Sequence, residues 1–421
     1  MSEQGVSDAR FSAQKSAGRY ESFYLGGLAV CLALLPLVGY LAPRALAFIP
    51  GLIGLIGFFA GWYIYGSRPQ IHKGTLYIVV PVMGIAFLSC IWAIDPAESL
   101  ERSLKMFPVL LSGVVLLSVL NSYREHIFPL FAKIFPIVVI FTLAYALIDL
   151  LSDGALHLFL RGIERDEEFN VSELNRGIIV IVLSLIPAWA MLGHHKGYWN
   201  SVRRYIYQAL ILILLAGVLF TTDSQSAHLI VLTCAVFWFL FPVKNRVAWF
   251  CLWVLLTVLI FVAPWLAQYM FDTMPALIGD VEWFRQSYAL NRLEIWDYVG
   301  RYIEANPFYG FGIEATRSIE DFDSAFLYDD KAIVLHPHNF ALQLWIEFGA
   351  IGAILASMIT GYILKILMNM EPSGARLGLV AFMGLLCPAA TAYGLWQGWF
   401  VGLFFMMCGY CILSQSTRQC D

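Results

Sequence analysis

Charged residues are scarce in this chain of 421 residues, because Asp, Glu, Lys and Arg together make up only 13%. Soluble domains carry about 25%, so the composition excludes a soluble protein with a large solvated surface. The formal net charge of −4 also lacks the basic balance of a nucleic-acid-binding protein. Apolar side chains, in contrast, make up 60% of the chain and give a mean hydropathy of +0.72.

The sequence also lacks a G-x-x-x-x-G-K-[ST] loop, so no nucleotide site of that kind is predicted. Its cysteines fall in apolar segments or on the side predicted to be inside, so no disulfide is expected in the outer loops. These cysteines are Cys31, Cys90, Cys234, Cys251, Cys387, Cys408, Cys411 and Cys420. The C-x-x-C pattern of Cys408 and Cys411 lies in an apolar helix, where packing is the expected role.

Apolar runs near the ~20 residues that cross a bilayer recur along the chain. They predict an all-α polytopic membrane protein, because a helix satisfies its own backbone hydrogen bonds in lipid. We predict about twelve spans, at residues 23–42, 45–65, 74–94, 103–120, 127–151, 176–192, 203–221, 226–241, 247–264, 339–367, 376–392 and 394–413. The first run is long enough to span, so we interpret it as a retained helix and not as a cleaved signal peptide.

The distribution of Lys and Arg predicts that both ends of the chain are cytoplasmic, because these residues concentrate in the connections on the N-terminal side of the membrane. The expected organisation has six parts. They are a cytoplasmic segment 1–22, spans one to nine within 23–264, a short outer loop 152–175, a long outer loop 265–338, spans ten to twelve within 339–413, and a cytoplasmic tail 414–421. The long loop exceeds ordinary connections and is therefore expected to be functional or folded.

The long outer loop contains the sequence "VEWFRQSYALNRLEIWDYVGRYIEANP", residues 281–307. Its apolar residues have helical spacing, which predicts an amphipathic helix on the membrane surface. Arg285 and Arg292 are seven residues apart and share one face of this helix. They are either solvated or headgroup contacts, or they form a cationic site for phosphate, which a guanidinium binds through two donors.

Two patterns in and after this loop raise the question of a metal. Asp321 and Asp323 form a D-x-D within an acidic stretch, a pattern that also arises often by chance. His336 and His338 are possible ligands as well, but no third ligand is evident beside them. We therefore expect neither a metal nor another cofactor.

The sequence "HPHNFALQLWIEFGAIG", residues 336–352, joins this loop to an apolar helix. Pro337 disfavours helix before it, and Asn339 is a good N-cap. Asn339, Gln343 and Glu347 follow at four-residue intervals, which predicts a polar stripe that faces the interior of the bundle. His338 and Asn339 either cap the helix only, or His338 is a general base, since imidazole titrates near neutral pH.

The motifs "NRLEIW" with Arg292 and Trp296, "NPFYGFG" at 306–312, and "HPHNFALQLWIEFGAIG" resemble those of the O-antigen ligase family. With twelve spans, the resemblance extends over nearly the whole chain. It implies a fold similar to that of the C-type membrane glycosyltransferases. It also implies transfer of O-antigen from undecaprenyl pyrophosphate to a sugar hydroxyl of lipid A-core, in the bacterial inner membrane with a periplasmic active site. The resemblance further implies a metal-independent reaction that inverts the configuration of the anomeric carbon. Membrane lipid is an expected partner, and nucleic acid is not.

The same resemblance implies roles for individual residues. His338 would be the general base, and Arg292 would hold the donor pyrophosphate. A second arginine of the family is absent near the eighth span, where this chain has "TTDSQSAHL" with Gln225. Arg176 is the predicted substitute and Arg161 a weaker one. Supporting roles are predicted for Asn339, His336, Arg285 and Glu347, and we expect His338, Arg292 and Arg176 to converge on one outward-facing cavity.

Two alternatives within the family remain, namely an O-antigen polymerase and an O-oligosaccharyltransferase. Polymerases tend to carry an R-x10-G pattern in each of two large outer loops. This chain has the pattern once, from Arg301 to Gly312, which favours the ligase. A flippase or other transporter of lipid-linked oligosaccharide is a further alternative, but it would be expected to show an internal repeat and mid-membrane charges.

Overall fold

The computed structural model of the protein describes residues 3–162, 171–194, 199–278, 289–319 and 334–414. Within these ranges the regular structure consists of thirteen α-helices and three short 3-10 segments. The helices are α1 (Glu3–Leu41), α2 (Ile49–Tyr65), α3 (Lys73–Ser89), α4 (Pro96–Leu151), α5 (Ala155–Arg161), α6 (Asn175–His194), α7 (Ser201–Thr221), α8 (Gln225–Leu240), α9 (Arg246–Ile278), α10 (Ala289–Ile303), α11 (Phe340–Met368), α12 (Pro372–Thr391) and α13 (Gly398–Ser414).

Eight helical segments in the described ranges are long and apolar enough to cross a membrane. They lie in α1, α2 with the short turn before it, α4, α6, α7, α9, α11 and α12, while α3, α8 and α13 are shorter apolar helices. These features are consistent with the predicted class, a helical multi-pass membrane protein. The number of twelve spans stays a prediction.

Helix α4 joins two of the predicted spans, 103–120 and 127–151, into one element of 56 residues. Its backbone leaves helical geometry at Tyr123. A Cβ on Gly113 would lie 2.3 Å from Phe405, whereas the rings of Phe131 and Tyr410 are 5.5 Å apart. A straight helix would separate residues 113 and 131 by ~27 Å, but residues 405 and 410 are only ~7.5 Å apart along α13. The helix therefore changes direction at a kink near Tyr123.

The chain divides into two compact units, which are described separately. The first comprises Met1–Thr75, Leu111–Ser224 and Gly402–Asp421. The second comprises Leu76–Leu110 and Gln225–Val401, and it contains the "NPFYGFG" and "HPHN" motifs together with Arg292.

A cluster of apolar side chains from α9, α10 and α11 forms one core of the second unit. Val299 and Ile303 of α10 are almost completely buried there with Ile260 of α9 and Trp345 of α11. The prediction that the apolar face of α10 rests on the membrane surface is therefore wrong, because this face packs against protein. The ninth helix also ends later than predicted, because α9 continues beyond residue 264 to Ile278.

Helix α11 is broken at Gly349, whose φ of 58° and ψ of −148° are essentially restricted to glycine. The "NPFYGFG" turn supplies backbone partners on both sides of the break. The bonds run from Phe311 N to Ile346 O (2.9 Å), Gly312 N to Glu347 O (2.9 Å), Ala350 N to Pro307 O (2.8 Å) and Ile351 N to Phe308 O (3.3 Å). Irregular backbone in a spanning segment is thus satisfied by protein, as lipid requires.

Candidate functional site

The "HPHN" motif forms the entry to α11, as predicted. Asn339 is the N-cap, and its side-chain oxygen accepts hydrogen bonds from the backbone N–H groups of Ala341 (2.9 Å) and Leu342 (3.2 Å). His338 precedes the cap with a φ of 55°, in the left-handed region that few residues other than glycine adopt. Such backbone strain is often found where a side chain must be aimed.

The ring of His338 is oriented by the backbone. Its Nδ1 lies 2.6 Å from the carbonyl oxygen of Ala392, just beyond α12. Because a carbonyl oxygen can only accept, Nδ1 carries the proton of this bond. In the neutral ring the lone pair is then at Nε2, which is the nitrogen able to take up a proton. This arrangement is the one that a general base requires.

His336 is held beside His338, with ring centroids 4.2 Å apart. Trp399 donates its indole N–H to Oε1 of Gln397 (2.8 Å), which leaves the amide nitrogen of Gln397 2.9 Å from Nε2 of His336. His336 is 8% exposed and is thus a packed, hydrogen-bonded neighbour of His338. No group of three metal-binding side chains occurs in the part of the chain that the structure describes.

Arg292 lies on α10 next to the "HPHN" segment. One turn further along, Trp296 donates its indole N–H to the carbonyl of Pro337 (2.8 Å), which fixes α10 against the residue before His338. Burial lowers the pKa of Arg292, and the neighbouring Tyr393 opposes this shift. No ion pair joins Arg292 to a carboxylate among the described residues. A half-buried guanidinium in this setting favours an anionic ligand.

The segment from Ala392 to Gln397, between α12 and α13, is termed the 392–397 connection. It lies beside three of the site residues described so far, namely His338, Arg292 and His336. Ala392 contacts His338, Tyr393 neighbours Arg292, and a Cβ on Gly394 would lie 3.0 Å from the ring of His336. Sequence reasoning treated this stretch only as the boundary between two spans. Its sequence, "AYGLWQ", has aromatic and glycine residues where a plain interhelical turn would be polar.

The predicted polar stripe on α11 is present and faces inward. Glu347 is fully buried. Its Oε1 accepts hydrogen bonds from the amide of Gln343 (2.9 Å) and the backbone N–H of Glu314 (3.1 Å), and its Oε2 accepts one from the indole of Trp396 (2.6 Å). Three donors thus replace the water that burial removes from this carboxylate.

A second buried carboxylate, missed by sequence reasoning, lies behind Glu347. The Glu314 carboxylate is within 2.9 Å of Nε of Arg102 and 2.5 Å of Nε of Arg317. Both guanidinium groups therefore pair with the Glu314 carboxylate, whereas the hydrogen bonds to Glu347 described above come from uncharged donors. Directly after the "NPFYGFG" turn, the backbone is therefore held by the Glu314 ion pairs and by the bond from Glu314 N–H to Glu347.

The other predicted site residues are less completely defined. Arg176 lies in the first turn of α6, half-buried, in the first unit. Its convergence with His338 and Arg292 stays a prediction. Arg161 is the last residue of α5, and its side chain is outside the described part of the chain. Arg285, Asp321 and Asp323 also lie outside the described residues.

Comparison with known proteins identifies relatives of one kind. Residues 210–357, which include α10 and the "HPHN" motif, match the family described as O-Antigen ligase. A provisionally named polysaccharide ligase of Rickettsia prowazekii (strain Madrid E) is 24% identical over 323 residues, covering 75% of this chain and 74% of that protein. A similarly named protein of Rickettsia bellii (strain RML369-C) is 26% identical over 331 residues, with 76% and 75% covered.

A shorter match reaches higher identity. A provisionally named polysaccharide ligase of Rickettsia conorii (strain ATCC VR-613 / Malish 7) is 31% identical over 121 residues, covering 28% of this chain and 29% of that protein. Together the matches confirm the family resemblance predicted from the motifs. They support a function of the polysaccharide ligase or polymerase type, and hence a transferase.

Proposed function

We propose that this chain, whose residues 210–357 match the O-antigen ligase family, is an O-antigen ligase of the bacterial inner membrane. It transfers polysaccharide from undecaprenyl pyrophosphate to a sugar hydroxyl of lipid A-core at the periplasmic face, and so completes lipopolysaccharide. The observation that carries the proposal is the fixed orientation of His338 by the Ala392 carbonyl, beside the helix that holds Arg292.

The proposed reaction is a single displacement. The oxygen of the acceptor hydroxyl attacks the anomeric carbon, the bond from that carbon to the pyrophosphate oxygen breaks, and configuration inverts. The hydroxyl proton passes to Nε2 of His338. The donor is already activated by its pyrophosphate, so neither a nucleotide nor a metal is required in this scheme.

Arg292 has the electrostatic role in this scheme. Negative charge builds on the departing pyrophosphate, and a preplaced guanidinium stabilises it without reorganisation. Its half-buried position, unpaired with any described carboxylate, supports this role. Arg176 is proposed as a second pyrophosphate contact in place of the arginine absent near Gln225, with Arg161 as the weaker alternative.

An O-antigen polymerase is the second candidate, because the family match includes that chemistry. It would use the same donor with a second lipid-linked chain as acceptor. The single R-x10-G pattern from Arg301 to Gly312 and the ligase names of the relatives favour the ligase. An O-oligosaccharyltransferase would use a protein acceptor, and a flippase would move the donor without covalent transfer.

The deciding experiment reconstitutes purified protein in liposomes with EDTA, undecaprenyl-pyrophosphate polysaccharide and lipid A-core. Wild type is compared with His338→Ala and with His126→Ala, an exposed histidine of α4 that serves as control. We expect transfer by wild type and by the control, and none by His338→Ala. Normal transfer by a folded His338→Ala protein would refute the base assignment, and product formed only from a lipid-linked acceptor would establish a polymerase.

A second comparison tests the role of the Arg292 guanidinium. Arg292→Ala is expected to lower the transfer rate by about 10²–10³, as removal of a transition-state donor does. Arg301→Ala on the same helix is the control, because Arg301 is 54% exposed and pairs with Asp297. Equal losses in the two variants would contradict a special role for Arg292.

A further inference from the structure

The 392–397 connection is anchored from the side of α11 by two buried polar side chains. Gln343 accepts the backbone N–H of Leu395 through Oε1 (2.9 Å) and donates through Nε2 to Glu347 (2.9 Å). Glu347 in turn accepts the indole N–H of Trp396 (2.6 Å). Gln343 and Glu347 are 2% and 0% exposed, so water does not compete for these bonds.

The same connection orients the proposed base at its other end. Ala392, three residues before Leu395, supplies the carbonyl that holds Nδ1 of His338. The start of the connection is held by α12, because the backbone N–H groups of Ala392 and Tyr393 both donate to the carbonyl of Pro388 (3.0 Å each). Gln343 and Glu347 of α11 restrain the middle of the connection through Leu395 and Trp396. We expect the position of the Ala392 carbonyl to depend on this second anchor as well as on the end of α12.

We infer that Gln343, Glu347 and Trp396 are positioning residues that hold the 392–397 connection so that the Ala392 carbonyl selects the Nδ1-protonated ring of His338. This inference deepens the proposed function and rests on His338 as its base. The tautomer of a histidine is set by the hydrogen bond that its other nitrogen makes. When the carbonyl shifts, the proton is no longer confined to Nδ1, and a ring protonated at Nε2 cannot accept the hydroxyl proton at that nitrogen.

A purely structural role for the network would give a different pattern of effects. Loss of a buried indole hydrogen bond destabilises the fold wherever it occurs. The chain offers a control, because Trp345 of α11 also donates a buried indole N–H, in its case to the backbone carbonyl of Ile260 (2.8 Å) and not to a carboxylate. Trp345 and Trp396 are 4% and 6% exposed. Trp396 differs in being part of the 392–397 connection, which its bond ties to Glu347 of α11.

The experiment compares Trp396→Phe, Trp345→Phe and wild type in liposomes, with kcat and both KM values measured. We expect Trp396→Phe to lower kcat by about tenfold or more, as small misplacements of reacting groups do. Both KM values should stay unchanged, and Trp345→Phe should keep the wild-type kcat while losing similar thermal stability. Should Trp396→Phe fail to fold, Gln343→Met removes the bond to Leu395 and carries the same expectation.

A second readout is independent of transfer. Nitrogen-15 NMR of histidine-labelled protein, with His338→Gln to assign the signal, reports which ring nitrogen of His338 is protonated. We expect the Nδ1-protonated ring in wild type and in Trp345→Phe, and a mixture of tautomers in Trp396→Phe. If wild type transfers no glycan but the NMR pattern holds, the proposed reaction fails while the positioning network stands.

Two results would overturn the inference. One is an unchanged tautomer of His338 in both Trp396→Phe and Gln343→Met. The other is a loss of kcat that follows thermal stability equally in the Trp345 and Trp396 variants, since that pattern is expected for general destabilisation.

Discussion

The two halves of α11, before and after Gly349, differ in burial and chemistry. The half from Phe340 to Phe348 carries the buried Gln343 and Glu347 and packs against other protein segments. The half after the break exposes Ile354 (49%) and Met358 (66%), as a surface that faces lipid would. One apolar run in the sequence thus contains a site-building segment followed by an ordinary spanning segment.

This difference indicates what the break at Gly349 achieves. It frees the carbonyls of Ile346 and Glu347 for the "NPFYGFG" turn. With the "NPFYGFG" segment held in this way, the backbone N–H of Glu314 reaches the Glu347 side chain. A continuous helix would use those carbonyls internally and leave the turn without this anchor. Mutations on the two sides of the break should therefore differ in kind as well as in size.

The largest effect is expected for Gly349→Ala. Its φ and ψ cost any other residue about 1–3 kcal/mol, and the added Cβ would lie 2.5 Å from the backbone of Phe308. We expect a sharp fall in the thermal midpoint in detergent and loss of transfer. Gly361→Ala in the second half is the control, because its Cβ would meet the side chain of Trp253 instead of backbone. Equal midpoints in the two variants would show that the break is dispensable.

A smaller effect is expected at the start of the first half. Asn339→Ala removes the cap and should cost about 1 kcal/mol of stability. Asn339→Ser keeps a capping oxygen and should retain both the thermal midpoint and the transfer rate. If Asn339→Ser is stable but inactive, the amide has a further role at the site, and Asn339 is more than a cap.

Features with a short-range signature could be predicted from the sequence. The helical spans follow from apolar runs, and the cap at Asn339 from its residue type before a helix. The stripe from Gln343 to Glu347 follows from four-residue spacing, and its inward orientation from the cost of a carboxylate in lipid. Each of these depends on residues within a few turns of one another.

Long-range contacts left no such signature. The bond from His338 to Ala392 joins residues 54 positions apart, and the pairing of Arg102 with Glu314 joins two distant segments. The break at Gly349 has no local signature either, because its backbone partners are supplied by the "NPFYGFG" turn about 40 residues earlier in the chain. The amphipathic pattern of α10 indicated a buried face correctly, but a pattern does not distinguish lipid from protein as the buried partner.

A modest effect is expected for Ser357→Ala in the second half of α11. Its hydroxyl lies 2.7 Å from that of Thr257 on α9, and bonds of this type between membrane helices contribute on average about 0.6 kcal/mol. We expect a slight decrease in the thermal midpoint and unchanged transfer. A large loss of transfer with normal stability would show that the site extends beyond Gly349. It would contradict the claim that only the first half of α11 builds the site.

The smallest effect is expected for Met358→Leu, at the most exposed apolar position of the second half. An apolar exchange of similar volume on a lipid-facing surface should change stability by less than about 0.5 kcal/mol. Trp345→Phe in the first half, a change of comparable size, should lower the thermal midpoint measurably because its indole bond is buried. If Met358→Leu instead destabilised the protein more than Trp345→Phe, Met358 would contact a partner helix, and the second half would be a protein interface rather than a lipid-facing span.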